Sequence, residues 1–446
     1  MSEYSSSGIR TRRINSVISV LILFVLLMTP LMVGSNRPVF WMLNSAVLMA
    51  ATAMVLFLAG FGVLKLRVKV KRWRLISTLG AIYVAGLMLQ MTLSGIWPGS
   101  EMHSQSAMLL GLLRVVSYGC ILFLTLQVAT NVKRARNLAW GVFGIIIVMA
   151  MYSLLSHQMP ELLFYEKSEI GKVVTGPFIN RNSLATYLAF GCALGTALVL
   201  RGDRQGLMRN KRGRMDVEMV IGRLALFVAV LLMFATILTT GSRMGAFVGL
   251  LGIFIPVVLR VSQAEKASGT RQAMVSLTIA VVALLAFVIV SAMYGGVVFD
   301  RLGSTGMAAD VRWSLYENIW QVVLQRPFSG HGFDSFELAF RAGHELPVSP
   351  DLRWQNAHNT YLELWIELGL LLGSIPPIIC AVAIVRLVQR GAVNQYTGYL
   401  AQAAIAAIVI AAIHSLVDFS LEIEANVFLF LVILGLGLAP DDSKVK

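Results

Sequence analysis

Apolar positions in this 446-residue chain fall in near-continuous blocks, not in the alternation of a half-buried strand or the one-sided stripe of a surface helix. Each block is about 17–25 residues long, enough to cross roughly 30 Å of hydrocarbon as helix. The blocks lie near 14–33, 39–64, 75–93, 108–129, 138–155, 182–200, 220–240, 244–260, 274–294, 360–385, 397–417 and 424–438. This pattern predicts an all-α, polytopic integral membrane protein of about 12 transmembrane helices. Two intervals are longer than the rest, 156–181 and 295–359. In the second, Val311, Leu315, Ile319, Val322 and Val323 recur at helical spacing, Pro327 ends the helix, and Gly330-His331-Gly332 turns the chain. That segment reads as an amphipathic helix lying along the outer membrane surface. A long ordered loop is usually functional, which points the working end of the protein outward.

Composition agrees with the blocks: 57% of residues are hydrophobic and 13% charged, against about 25% charged in soluble domains. The net charge of +14 would suit nucleic acid, but no helix-turn-helix, zinc or aromatic–basic pattern accompanies it. Retention of Lys and Arg on the cytoplasmic side accounts for it instead. Arg10, Arg12 and Arg13, the run from Lys65 to Arg74, Lys133 to Arg136, Arg201 to Arg214, Arg260 to Arg271, Arg386 and Arg390, and Lys444 and Lys446 fall in alternate loops. Both termini are therefore expected in the cytoplasm. The acidic residues lean to the other face, and charges are scarce near mid-span. The organisation reads as a cytoplasmic N-terminus (1–13), helices 1–9 (14–294), a large outer loop (295–359), helices 10–12 (360–438) and a cytoplasmic tail (439–446). The first block is too long for a secretory h-region and precedes no small-residue cleavage pattern, so it is expected to be retained. Cys120, Cys192 and Cys380 sit far apart inside apolar blocks, as small hydrophobes do, and form no disulfide or metal pattern.

Polar residues gather at the outer ends of the predicted helices. Asn180, Arg181 and Asn182 open the sixth; either Asn can cap it, and Arg181 joins the free N–H groups in attracting an anion. Thr239-Thr240-Gly241-Ser242-Arg243 forces a tight hairpin between the seventh and eighth, with Arg243 at an outer N-terminus and Gly245 and Gly249 spaced for close packing. Arg312 and Tyr316 share one face of the surface helix. Thr360-x-x-Glu363 has the form of a capping box, placing His358 and Asn359 just before the tenth span. An imidazole there is a candidate general base near neutral pH, though a lone His is more often structural.

From residue 170 to 440 the chain resembles the O-antigen ligase and O-antigen polymerase superfamily of bacterial envelope glycosyltransferases. The resemblance rests on Phe178-x-Asn180-x-Asn182, the turn ending in Arg243, the surface helix from Arg312, the Gly330–Gly332 turn and, most specifically, the stretch from His358 to Glu363. It implies a 12-helix inner-membrane protein with a large periplasmic loop between spans 9 and 10 over a lateral cleft. It also implies transfer of a glycan from undecaprenyl diphosphate to an acceptor hydroxyl on lipid A core, on another glycan repeat or on protein. Under it, Arg243 and Arg312, with Arg181 less securely, would hold the diphosphate and His358 would be the base. Asn180, Asn182, Tyr316, Asn359 and Glu363 would support them. Little similarity extends to the first 100 residues. Arginine supplies fixed charge where a diphosphate leaves, and the expected reaction inverts the anomeric carbon by direct displacement. No D-x-D pair or Walker motif occurs, so neither metal, cofactor nor ATP is expected. A glycan or lipid transporter and a non-enzymatic membrane partner are the competing readings; scarce mid-span charge weighs against the former. Because the chain stops soon after its last span, a protein acceptor is the less expected of the three.

Overall fold

The structure is a computed structural model that describes residues 2–68, 73–94, 105–163, 173–201, 217–266, 306–343, 345, 348, 353–391 and 398–439. Among the described residues all regular structure is helical. The elements are α1 (Ser2–Leu31), α2 (Pro38–Gly60), α3 (Arg74–Leu93), α4 (Gln105–Ala129), α5 (Val132–Gln158), α6 (Arg181–Val199), α7 (Val217–Thr239) and α8 (Arg243–Lys266). They continue with α9 (Gly306–Gln325), α10 (Phe336–Gly343), α11 (Thr360–Gly373), α12 (Ile375–Gly391), α13 (Gly398–His414) and α14 (Glu424–Leu438). The first eight carry stretches long and apolar enough to cross a membrane, and α13 and α14 are shorter apolar helices. Large apolar side chains such as Val17, Phe57, Leu224 and Val258 stand exposed on them. A membrane protein presents such an exterior to lipid. The predicted ninth span, 274–294, lies outside the described residues, as do Glu101, Glu166 and Glu169 among the acidic residues expected on the outer face.

α6 is the centre of the bundle. Of its apolar window 89% is buried, and it packs against α7, α8 and α13. Its small residues permit this: a Cβ at Gly252 of α8 would lie 2.8 Å from the Ala189 carbonyl oxygen of α6, and one at Gly245 would lie 2.4 Å from the Ala185 Cβ. The expected Gly245–Gly249 pair is thus divided. Gly249 faces Ile237 and Phe234 of α7, and the close seam with α6 runs through Gly245 and Gly252, two helical turns apart.

The predicted tenth span is not one straight helix. α11 and α12 are bent by 65°, and Gly369 inside α11 takes φ 74°, ψ 168°, a conformation open to glycine and costly for L side chains. Breaking a helix exposes backbone carbonyls, which inside a membrane need partners. The turn from Pro327 to Gly332 supplies them: His331 N donates to Ile366 O (2.8 Å), Gly332 N to Glu367 O (2.9 Å), and Leu370 N donates back to Pro327 O (2.7 Å). Gln90 of α3 closes the joint, donating to Ser329 O and Glu367 O and accepting from Phe333 N.

The surface helix also departs from expectation. Leu315, Ile319, Val322 and Val323 of α9 are fully buried, but against protein: Phe336, Phe340, Ala357, Leu362 and Ile366 complete a small core of their own. After the turn at 331–335, α10 packs against α9, so the apolar stripe is covered by chain and not by lipid. Trp313 and Phe328, at 74% and 73% exposure, are the most exposed large apolar side chains among the described residues of α9 and its following turn.

Candidate functional site

Four helix ends meet at a cavity of about 260 Å³ lined by Arg181, Asn182, Gly241, Ser242, Arg243, Met244, Arg312, His414 and Val417. Each is delivered by local chemistry. Asn180 caps α6, its side chain accepting from Ser183 N at 2.7 Å, which places Arg181 first in the helix. Gly241 turns at φ 62°, and Ser242 caps α8 by accepting from Gly245 N at 3.1 Å, which places Arg243 first in that helix. Arg312 comes down from α9. Asn182 is not a cap. Its amide accepts from Ser242 Oγ (2.8 Å) and donates to Asp418 Oδ1 (2.8 Å), tying α6, α8 and the turn after α13 together. Asn426 donates to Ser183 O and Ser420 O and fixes α14 to the same floor.

Two guanidinium groups at two helix N-termini are electrostatically unfavourable by themselves, because the helix macrodipole is positive there by about half an elementary charge. With a third arginine in the same cavity, the field is built for an anion. Typical small-molecule pockets run to roughly 300–1,000 Å³, so this cavity suits a compact charged head group whose larger parts lie outside it.

His358 stands beside this cavity, not among its lining residues. Its backbone holds φ 51° and is clamped on both sides: Ala357 N donates to Glu363 Oε2 (2.9 Å), and the Tyr316 hydroxyl donates to His358 O (2.8 Å). The ring packs edge-on against Phe419 at 5.0 Å between centroids, and its Nδ1 has no protein partner. Burial pushes the imidazole pKa below its ordinary value; Asp418 opposes this and Arg312 adds to it. A neutral imidazole with a free ring nitrogen is competent to take a proton at neutral pH.

The capping-box expectation is corrected here. Asn359 caps α11, accepting from Tyr361 N and Leu362 N. Thr360 instead donates to Asp418 O, and the Glu363 carboxylate reaches past the cap to Ala357. A capping box pairs a hydroxyl with the N3 amide; the Asn359 side chain one residue earlier already occupies the first-turn amides.

Sequence reading brought together Arg181, Arg243, Arg312 and Asn182, which share the cavity, and His358, Tyr316, Asn359 and Glu363, which form the clamp beside it. It missed His414, Thr186 and Asp418. The signal for them was an ionisable pair, His414 and Asp418, closing an otherwise apolar span. It also missed a buried polar network behind His358. Glu363, Glu367 and Glu424 are each at most 8% exposed, Asn356 donates to Glu422 (2.8 Å), and Arg114 pairs with Asp334 (3.2 Å) while lying over Trp41. Withdrawal from water, with Glu363 alongside, raises the Glu422 pKa well above the carboxylate range. Among the described residues no group of three His, Cys, Asp or Glu side chains could hold a metal ion.

Residues 228–375 match the family model described as O-antigen ligase, and that match supports the O-antigen ligase superfamily for this chain. The segment contains Arg243, Arg312, Tyr316, His358 and Glu363, while Arg181, His414 and Asp418 lie outside it. No curated protein matches the chain.

Proposed function

We propose that this O-antigen-ligase-type membrane protein moves a glycan from undecaprenyl diphosphate to an acceptor hydroxyl at the periplasmic face of the bacterial inner membrane. The observation that carries the reading is the convergence of Arg181, Arg243 and Arg312 on one cavity beside a clamped, half-buried His358. In this reading the arginines bind the donor diphosphate, with Asn182 and the α6 and α8 N-termini adding dipoles. His358 takes the proton from the acceptor hydroxyl as its oxygen attacks the anomeric carbon. The bond from that carbon to the phosphate oxygen breaks on the opposite face, so configuration inverts, and the lipid diphosphate leaves into fixed positive charge. The arginines supply the charge stabilisation that a metal supplies elsewhere, so the reading calls for neither metal nor ATP.

The test is the glycan profile of a deletion strain complemented with wild type, His358→Ala or Arg243→Gln. Loss of transfer with normal membrane abundance is expected for both variants. Long polymer left on the carrier, with bare lipid A core outside, assigns a ligase; single repeat units without polymer assign a polymerase. Full transfer by the His358 variant would remove it as the base.

A second reading, a proton-coupled transporter of a lipid-linked glycan, draws on the buried carboxylates around Arg114, since ionisable groups inside a membrane often mark ion paths. It predicts that Glu367→Gln abolishes export and that His358→Ala does not.

A further inference from the structure

The cavity holds one ionisable side chain that the mechanism above leaves idle. His414, the last residue of α13, is 2% exposed and lines the cavity with the three arginines. Its Nδ1 hydrogen-bonds to Thr186 Oγ1, while its Nε2 has no protein partner. Hydrogen-bond bookkeeping at Thr186 favours one tautomer. The hydroxyl has one proton, and it donates that proton to Asn182 O at 3.0 Å. Toward His414 the Thr186 oxygen can then only accept, so the imidazole proton sits on Nδ1 and neutral Nε2 is a bare lone pair.

A bare lone pair is the wrong partner for a phosphate oxygen, which also only accepts. The mismatch disappears if Nε2 gains a proton. Arg181, Arg243 and Arg312 line the cavity with like charge, and Asp418, joined through Asn182, is the acidic group near the ring. Two negative charges delivered among the arginines reverse that balance.

We propose that His414 is a fourth ligand of the diphosphate, which takes up one proton from solvent on Nε2 when the donor binds and donates it as a hydrogen bond to a phosphate oxygen. The inference rests on the diphosphate reading above and adds to it a binding step linked to pH. His358 keeps its separate role toward the acceptor.

The experiment uses the full-length protein in lipid nanodiscs and a farnesyl diphosphate ester of N-acetylglucosamine. Each phosphate of that probe carries one ester and one anhydride linkage, leaving a single strongly acidic oxygen, so the probe itself does not titrate near neutrality. Calorimetry at one pH in two buffers of different ionisation enthalpy counts the protons taken up; a pH series gives the affinity slope. For wild type, uptake of about one proton and a fall in affinity approaching tenfold per pH unit on the alkaline side are expected, as linkage requires for one proton. His414→Gln should abolish both uptake and slope, and His358→Gln should retain both. Wild-type binding without uptake, unchanged uptake in His414→Gln, or uptake lost in His358→Gln would each overturn the inference while leaving the diphosphate site standing. Because the wild-type count and the His358 variant decide between these outcomes, the inference stays testable even if His414→Gln fails to fold, and His414→Asn serves as the smaller alternative. If wild type does not bind the probe at all, the diphosphate reading itself fails and the inference falls with it.

Discussion

Arg181 and Arg243 each occupy the first position of a helix, where the macrodipole disfavours a cation by about 0.3–1 kcal/mol. Placing both there, with Arg312 opposite, costs stability in the empty protein and lowers the energy of a bound anion. Arg243→Lys would keep the charge but lose the planar fork that holds two phosphate oxygens at once. The pH dependence of kcat/KM belongs at this scale too. His358 must be neutral to act as base, and its pKa is lowered by burial. The rate should therefore fall on acidification with a midpoint below the ordinary value of about 6.5. A midpoint above 6.5 would show that a different group carries the acid limb. On the alkaline side, proton-linked donor binding through His414 should lower kcat/KM and leave kcat at saturating donor unchanged, which gives a bell for one parameter and not the other.

The broken α11–α12 pair is the element on which the clamp depends. A Cβ at Gly369 would meet Phe328 O at 2.4 Å on a backbone of φ +74°, and one at Gly330 would meet Glu367 O at 2.2 Å. Gly369→Ala should therefore detach the Pro327–Gly332 turn from the break and lose roughly 1–3 kcal/mol or more from backbone strain alone. Gly119→Ala in α4, where a Cβ meets nothing within 4 Å, is the matched control and should leave stability nearly unchanged. Thermal unfolding of the two variants in one detergent makes the comparison; equal melting temperatures would mean that the turn does not hold the break. Capping shows the same dependence on context. Thr360-x-x-Glu363 has the spacing of a capping box, yet Asn359 caps the helix, because Asp418 O, 58 residues away, draws the Thr360 hydroxyl and Ala357 N draws the Glu363 carboxylate.

At the scale of the molecule, the α6–α8 seam couples stability to the site, because the same two helices present Arg181 and Arg243 at their ends. Gly252→Leu would drive a side chain against the Ala189 carbonyl and spread the helices. It should lower the melting temperature and weaken binding of the glycosyl diphosphate probe together, by at least tenfold for the latter. Loss of stability with unchanged affinity would show that the cavity does not depend on the seam. The loop basicity predicts both termini on the cytoplasmic side, and thiol labelling of single cysteines placed near residues 10 and 444 checks this: labelling from opposite sides would require an odd number of spans.

By itself the sequence determined the all-helical, multi-span character of the chain and the chemistry on offer. Span length, loop charge and helix-capping residues act within one segment at a time, through hydrophobic transfer and local backbone hydrogen bonding, so each can be read where it stands. Arg181, Arg243, Arg312 and His358 were legible for that reason, as charged or titratable groups at predicted helix ends. Only the tertiary structure decided which ends meet. It set His358 beside the arginine cavity and brought His414 into it, replaced a straight tenth span by a joint that needs a distant turn to satisfy its carbonyls, and turned the stripe of α9 onto protein. It also gathered Glu363, Glu367, Glu422 and Glu424 behind the clamp. These outcomes depend on contacts between residues tens to hundreds of positions apart, where packing of small residues and pairing of buried polar groups choose among arrangements that local pattern leaves equal.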